Sequence, residues 1–214
     1  MAFGILLFPG VEELDFVGPW EMVAMWSSYA AGPKKLVTVA QKKGSLRCAK
    51  GLGVIADHDF SDCPPLDYLL VPGGFAVFDE LENTELIDFI KQTSATAQHM
   101  LSVCSGAFLL HKAGLLHGKA ATTHWKALED FRDLPDVRVI EERWVRDGAI
   151  WTSGGVSAGI DMTLGFIADI AGAEAAGIVQ MNAEYYPDDK VYGSAHAVET
   201  GAAYFNALKI TDPA

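Results

Sequence analysis

The residues of this chain best suited to covalent chemistry surround Cys104. A short apolar run leads into this cysteine, small residues flank it, and a second apolar run follows at once, as Met100-Leu101-Ser102-Val103-Cys104-Ser105-Gly106-Ala107-Phe108-Leu109-Leu110. A nucleophile on a sharp strand-to-helix turn, a nucleophile elbow, crowds the backbone and needs small residues two positions before it and two after it. Ser102 and Gly106 occupy those positions. The pattern predicts a nucleophilic cysteine.

The same turn predicts a thiolate. It would hold the sulfur over the first amides of the next helix, where unpaired N–H groups and the helix dipole favour an anion. Such settings lower a cysteine pKa from about 8.5 to roughly 3.5–7.5. The other cysteines lack this context, because Cys48 lies in a basic, polar stretch and Cys63 precedes two prolines. We expect both to be structural.

The elements that position Cys104 alternate between apolar strands and helices, which predicts parallel β-α-β units. We expect one flavodoxin-like α/β domain over residues 1–187, an open and mostly parallel sheet sandwiched by helices, followed by a partly helical extension over 188–214. The helix over 11–27 is expected to be interrupted near Gly18-Pro19.

Ligands of open α/β sheets bind beyond the carboxyl ends of the strands. This rule gathers three loops, residues 9–15, 72–75 and 104–106.

Composition excludes several classes of function. The 214 residues carry 16 Lys and Arg against 28 Asp and Glu, a formal charge of −12, so nucleic-acid binding is not expected. No apolar run approaches the roughly 20 residues that cross a bilayer, and no leader segment is evident, so we expect no membrane partner. Three cysteines argue against a disulfide framework and favour a reducing compartment, the cytoplasm.

Several motifs, taken in order, resemble the ThiJ/PfpI superfamily of glutamine-amidotransferase-like proteins over residues 1 to roughly 187. They are Leu14-Asp15-Phe16-Val17-Gly18-Pro19, Val71-Pro72-Gly73-Gly74, Ser102-Val103-Cys104-Ser105-Gly106, Gly114-Leu115-Leu116, Thr122-Thr123-His124-Trp125 and Thr152-Ser153-Gly154-Gly155. Many members of the superfamily carry Glu at the position of Asp15. The isonitrile hydratases of this superfamily carry Asp there, as this chain does. Ser105 stands where the protease branch places His, which counts against peptidase chemistry.

The resemblance implies a hydratase that converts an isocyanide, its small-molecule substrate, into an N-substituted formamide. An isocyanide carbon accepts a soft nucleophile such as a thiolate. We expect Cys104 to form a thioimidate that water then opens. Nitrogen must gain a proton and water must lose one, and Asp15 is the candidate acid and base. Burial and the nearby thiolate are both expected to raise the pKa of Asp15.

The remaining site residues are expected to assist. Gly73 and Gly74 offer unobstructed amides, and with the Ser105 amide they are predicted to stabilise negative charge on the substrate. His124 is assigned a supporting or packing role around the site. The other histidines show no metal-ligand spacing and no glycine loop fits a nucleotide, so we expect neither metal nor cofactor.

The resemblance also implies a homodimer, and Trp20, Trp26 and Tyr29 of the first helix suggest an apolar patch for it. Two other functions remain open at this point. One is a thiol protein that acts on reactive carbonyls or oxidants. The other is a non-enzymatic ligand-binding or redox-sensing module, because the sensor domains of AraC-type regulators share these motifs. A DNA-binding region is not expected within 214 residues.

Overall fold

The architecture is a central sheet with helices on both faces, as a computed structural model describes it for residues 1–187 and 201–207. The strands in chain order are β1 (Ala2–Leu7), β2 (Lys35–Ala40), β3 (Gly44–Arg47), β4 (Gly53–Ala56), β5 (His58–Asp59), β6 (Tyr68–Val71), β7 (His99–Val103), β8 (Ala120–Ala121), β9 (Arg138–Val139), β10 (Trp144–Asp147) and β11 (Ile150–Ser153).

Seven α-helices occur in the described residues. They are α1 (Glu13–Tyr29), α2 (Val77–Glu80), α3 (Thr84–Ser94), α4 (Gly106–Lys112), α5 (Leu128–Arg132), α6 (Ala158–Ala171) and α7 (Ala173–Asn182). Short 3₁₀ helices span Trp125–Ala127 and Ala203–Ala207. The second belongs to residues 201–207, the described portion of the predicted extension; the rest of that extension, 188–200 and 208–214, lies outside the described residues.

The main sheet has the order β10-β11-β7-β6-β1-β2-β5. Its pairings are parallel except for β10 with β11, which form an antiparallel hairpin at one edge. The predicted mostly parallel α/β fold is therefore confirmed. Strand order reverses between β1 and β6, and the loops after these two strands flank the crevice in which such sheets bind ligands.

The central strands are apolar because both of their faces are covered. Every residue of β1 and of β6 is buried, as expected for parallel strands between two helical layers. By contrast, β3 and β4 form a separate antiparallel hairpin of alternating exposure.

The first helix differs from the prediction, because α1 runs without interruption through Gly18 and Pro19. These residues serve helix packing instead. A Cβ on Gly18 would lie 2.7 Å from Ile160 of α6, and one on Gly159 would lie 3.1 Å from Pro19. The absence of side chains at these points lets α1 and α6 approach closely.

The apolar patch predicted on α1 from Trp20, Trp26 and Tyr29 has a different composition in the fold. Trp26 is buried in the core, where its ring meets the edge of Phe166 at 6.3 Å. The exposed apolar side chains of α1 are Leu14, Val17 and Tyr29.

Candidate active site

Cys104 lies at the junction of β7 and α4 with a φ of +58°, in the left-handed region that a non-glycine residue adopts only at a cost. Its N–H donates to the carbonyls of Ser153 and Gly154, both at 3.1 Å, and its carbonyl accepts from the Thr123 hydroxyl at 2.9 Å. These bonds hold the strained residue in place. The predicted elbow is thus formed.

The elbow needs small residues because its backbone lies in close contact with neighbouring backbone atoms. A Cβ on Gly106 would lie 2.2 Å from the Val71 carbonyl oxygen, closer than any carbon atom is tolerated. Ser102 is fully buried, and its hydroxyl has no partner among the described residues. The backbone of the turn therefore packs directly against β6.

Asp15, in the first turn of α1, is completely buried and lies beside the cysteine. One carboxyl oxygen accepts the Gly73 N–H and the other accepts the Val156 N–H, each at 2.9 Å. Burial nevertheless dominates and raises the pKa of Asp15 to about 7; the two amides oppose this, the Glu12 charge adds to it, and a hydrogen bond with the Cys104 thiol lowers it. Asp15 is therefore poised to exchange a proton near neutral pH.

The predicted lowering of the thiol pKa is wrong for this arrangement. Burial raises the pKa of Cys104 well above its ordinary value, and the Asp15 charge raises it further, while the Ser105 amide and hydroxyl oppose both effects. The short helix α4 does not outweigh the burial. The raised pKa favours the neutral thiol, beside a carboxyl able to take its proton.

The two glycine amides have partners other than the predicted substrate. The Gly73 N–H is donated to Asp15, and the Gly74 N–H is donated to the Ser105 hydroxyl at 3.0 Å. The Ser105 hydroxyl in turn reaches the Gly74 carbonyl at 3.0 Å. In this arrangement these glycines orient Asp15 and Ser105, and the Ser105 amide faces the sulfur.

A cavity of about 530 Å³ opens onto Cys104 and Ser105. Its volume suits a small organic molecule. Phe75, Phe78, Ala127 and Val156 form apolar walls, and Gly74, Glu12, Lys50, His124, Lys126 and Asp130 complete the lining.

His124 lines this cavity and rests on the loop that carries the Val156 amide. A Cβ on Gly155 would lie 2.0 Å from the His124 ring, and the His124 Nδ1 accepts the Lys126 N–H at 3.2 Å. Burial, assisted by the Lys126 charge, lowers the pKa of His124. The supporting or packing role of His124 stays a prediction.

Several site residues escaped the sequence reasoning. Val156 has a φ of +57°, a strained value for a β-branched side chain, and this conformation directs its amide to Asp15. Thr123 holds the cysteine carbonyl, and Glu12 and Lys50 line the cavity. Thr123 lies in the Thr-Thr-His-Trp motif and could have been found there, whereas a valine and a lysine outside the motifs carried no signal.

Residues 1–187 and 201–207 contain no cluster of three or more His, Cys, Asp or Glu side chains that could hold a metal ion. Within the same residues, no helix has the length and apolar character required to cross a membrane.

The fold and the site together define an α/β protein that carries a cysteine on a nucleophile elbow with a buried carboxyl beside it. Residues 3–169 match the DJ-1/PfpI family, and the chain belongs to this family. The recognition of the ThiJ/PfpI superfamily from its motifs is thereby confirmed.

Two curated relatives indicate different roles. The isonitrile hydratase of Pseudomonas putida is 38% identical over 189 residues, which cover 87% of this chain and 79% of the relative. The HTH-type transcriptional regulator CdhR of Pseudomonas aeruginosa is 27% identical over 184 residues, which cover 86% of this chain but 54% of the regulator.

Solved structures agree on the fold. A THiJ/PfpI family protein from Pseudomonas syringae superimposes with a TM-score of 0.83 at 29% identity, covering 95% of this chain and 81% of the other. Drosophila melanogaster DJ-1beta has a TM-score of 0.74 at 18% identity, covering 87% and 100% of the two chains, and this likeness concerns the fold alone.

Proposed function

We propose that this protein is an isocyanide hydratase that adds water to an isocyanide and releases an N-substituted formamide. The single observation that carries the proposal is the buried Asp15 against the Cys104 thiol, with the pKa of Asp15 raised to about 7 by burial. The 38% identity to the isonitrile hydratase over 87% of the chain supports it. The reaction needs a soft nucleophile and a group that repeatedly takes and returns a proton.

In the first step the thiol adds across the isocyanide carbon. Asp15 takes the proton of Cys104 as the sulfur forms a bond to that carbon, and Asp15 returns the proton to the same carbon. The product is a thioimidate, R–N=CH–S–Cys104, in which the carbon has gained one sulfur and one hydrogen. A carboxyl with a pKa near the working pH is well suited to both transfers.

In the second step water adds to the thioimidate carbon. Asp15 takes a proton from the water and passes it to the nitrogen, which gives the adduct R–NH–CH(OH)–S–Cys104 and leaves the carboxyl ionised again. The C–S bond then breaks, the hydroxyl becomes the formamide carbonyl, and its proton passes through Asp15 to the sulfur. Atoms balance as one isocyanide and one water giving one formamide, with thiol and carboxyl restored.

The proposed roles of the other residues follow from their contacts. The Ser105 amide, which opposes the rise in the thiol pKa, stabilises negative charge on the sulfur. Gly73 and Gly74 hold Asp15 and Ser105 in position through their amides. Gly74 and His124 both line the cavity, which supports a role for them in contacting the organic substituent of the substrate.

The direct test is incubation with p-nitrophenyl isocyanide, with formation of N-(4-nitrophenyl)formamide followed by absorbance and mass. We expect turnover by the protein as it stands. Cys104→Ala should lose at least several powers of ten in kcat/KM, because covalent catalysis is removed outright. The matched control is Cys48→Ala, which changes a buried cysteine of the same chain away from the cavity lining.

Two results would contradict the proposal. Undiminished hydration by folded Cys104→Ala would exclude the covalent route. Saturable binding of the isocyanide without formamide release would instead favour a non-enzymatic ligand-binding module, in line with the likeness to the transcriptional regulator CdhR.

We also propose that the chain forms a homodimer and works in the cytoplasm, with the functional domain ending near residue 187. Leu14 and Val17 are exposed apolar side chains on α1 that a second copy would cover. Cys48, Cys63 and Cys104 are all free, as suits a reducing compartment.

A further inference from the structure

Glu12 and Lys50 form an ion pair on the wall of the catalytic cavity, and the reaction described above makes no use of it. The Lys50 ammonium lies 2.5 Å from a carboxyl oxygen of Glu12, and both residues line the cavity that opens onto Cys104. The Glu12 side chain is 16% exposed, whereas that of Lys50 is 66% exposed. The acidic partner thus faces the protein and the basic partner faces solvent.

The position of Lys50 is fixed by the backbone around it. Lys50 lies in the turn of the β3–β4 hairpin, and a carboxyl oxygen of Glu13 accepts its N–H at 2.6 Å and that of Leu52 at 3.3 Å. The adjacent Ala49 N–H donates to the Val11 carbonyl at 2.9 Å. A hairpin outside the main sheet is therefore fastened to the start of α1, directly beside the catalytic carboxyl.

The two members of the pair have opposite effects on the pKa of Asp15. Burial is the main cause of the raised pKa of Asp15 and of Cys104, and the Glu12 charge adds to both. The pKa of Lys50 is raised chiefly by its hydrogen bond to Glu12, with a smaller contribution from the Asp15 charge. Glu12 therefore favours the protonated form of Asp15, and Lys50 favours the ionised form. The charged or titratable groups around this space are Glu12, Glu13, Lys50 and Cys104 near Asp15, Tyr204 near Cys104, and His124, Lys126 and Asp130 on the rest of the cavity lining.

We propose that the Glu12–Lys50 ion pair tunes the catalytic carboxyl, with Glu12 as its fixed negative neighbour and Lys50 as the counter-charge that the hairpin supplies. Both residues are positioning residues in this sense, since they act on Asp15. The inference rests on the proposed function for its catalytic meaning, although the charge coupling itself does not depend on which substrate is used.

The test is the titration of the Asp15 carboxyl carbon by NMR in protein labelled with ¹³C-aspartate, the signal being assigned by its loss in Asp15→Asn. Glu12→Gln removes a like charge and should lower the Asp15 midpoint by about half a pH unit. Lys50→Met removes the opposite charge and should raise the midpoint by about the same amount. Because Lys50 is exposed, 0.5 M NaCl should shrink the Lys50→Met shift more than the Glu12→Gln shift.

Controls come from a remote pair of the same type, Lys112 with Glu82 at 3.3 Å. Glu82→Gln and Lys112→Met should leave the Asp15 midpoint unchanged. Equal midpoints in Glu12→Gln, Lys50→Met and the unaltered protein would overturn the inference, as would shifts of the same sign. A merely structural role would lower the melting temperature without producing opposite shifts.

The outcome is separable from that of the hydratase assay. Opposite NMR shifts without any formamide production would uphold the tuning and reject the hydratase proposal. Formamide production with the same acid limb in the pH dependence of kcat/KM for Glu12→Gln, Lys50→Met and the unaltered protein would uphold the hydratase and reject the tuning.

Discussion

At the scale of single residues, the unusual feature is a carboxyl subject to opposed forces. Two backbone amides favour the charged form of Asp15, and complete burial disfavours it more strongly. A carboxyl with these properties spends comparable time protonated and ionised near neutral pH. Such a group suits proton transfer and also affects the stability of the fold.

We expect stability to fall as pH rises from about 4 to about 7. The pKa of Asp15 is about 7 in the fold against an ordinary 3.8, so in this window the native state binds about one more proton than the unfolded chain. The free energy of unfolding then decreases by about 4 kcal/mol across the window. Denaturant unfolding at a series of pH values measures it, and Asp15→Asn should lack this part of the slope. An identical slope in the variant would contradict the raised pKa.

Activity should depend on the same group in the opposite sense. The base that takes the thiol proton must be ionised, so kcat/KM should rise with pH along a limb whose midpoint lies near 7. Initial rates with p-nitrophenyl isocyanide between pH 5 and 9 measure this limb. A midpoint near the ordinary value of 3.8 would argue against Asp15 as the base.

Replacement of Asp15 should cost rate more than stability. Asp15→Asn keeps the shape but cannot exchange a proton, and the expected loss is about 10²- to 10⁴-fold in kcat. Asp15→Glu keeps the acid but moves the carboxyl by one methylene, and a misplacement of about 1 Å can cost about 100-fold. Single-turnover rates together with melting curves separate the two effects. Full activity in Asp15→Asn would leave His124 or Ser105 as the proton carrier.

At the scale of elements, the elbow depends on close contact between the turn and β6. Gly106→Ala would bring a methyl group to 2.2 Å from the Val71 carbonyl oxygen, so the backbone of β7 and α4 must shift. We expect destabilisation of about 3 kcal/mol or more, as for other severe overpacking, together with loss of activity. Thermal unfolding monitored by circular dichroism provides the measurement.

The control for this prediction is Gly177→Ala in α7, where an added Cβ meets nothing within 4 Å. It should be neutral or stabilising by up to about 1 kcal/mol, because alanine favours a helix over glycine. If the two variants melted alike, the contact between the turn and β6 would not be a constraint on the elbow.

At the scale of the whole molecule, the proposed dimer should have twice the 23.0 kDa mass of one chain. Val17 is exposed on α1, so Val17→Glu should be tolerated by the fold yet oppose association by placing a charge in the contact. Multi-angle light scattering at micromolar concentration should give a dimer for the unaltered chain and a monomer for the variant. Val17→Ala, which stays apolar, should remain dimeric. A 23.0 kDa species for the unaltered chain would reject the dimer.

The sequence by itself determined the fold class and the position of a cysteine on the elbow. Alternating apolar strands and helices specify a parallel α/β sheet, and the spacing of Ser102, Cys104 and Gly106 specifies the elbow, because both are local patterns of shape and polarity. The motif around Asp15 identified the acidic residue. The prediction of a helix break at Gly18-Pro19 was wrong, because α1 continues through these residues and they pack against α6.

Only the tertiary structure decided the electrostatics of the site. The Val156 amide reaches Asp15 across 141 residues of chain, the Gly73 and Gly74 amides have partners within the protein, and the β3–β4 hairpin carries Lys50 to Glu12. Burial raises the pKa of Cys104 where its local sequence predicted a lowering. The physical reason is that desolvation and charge coupling depend on every atom within several ångströms, whatever its separation along the chain.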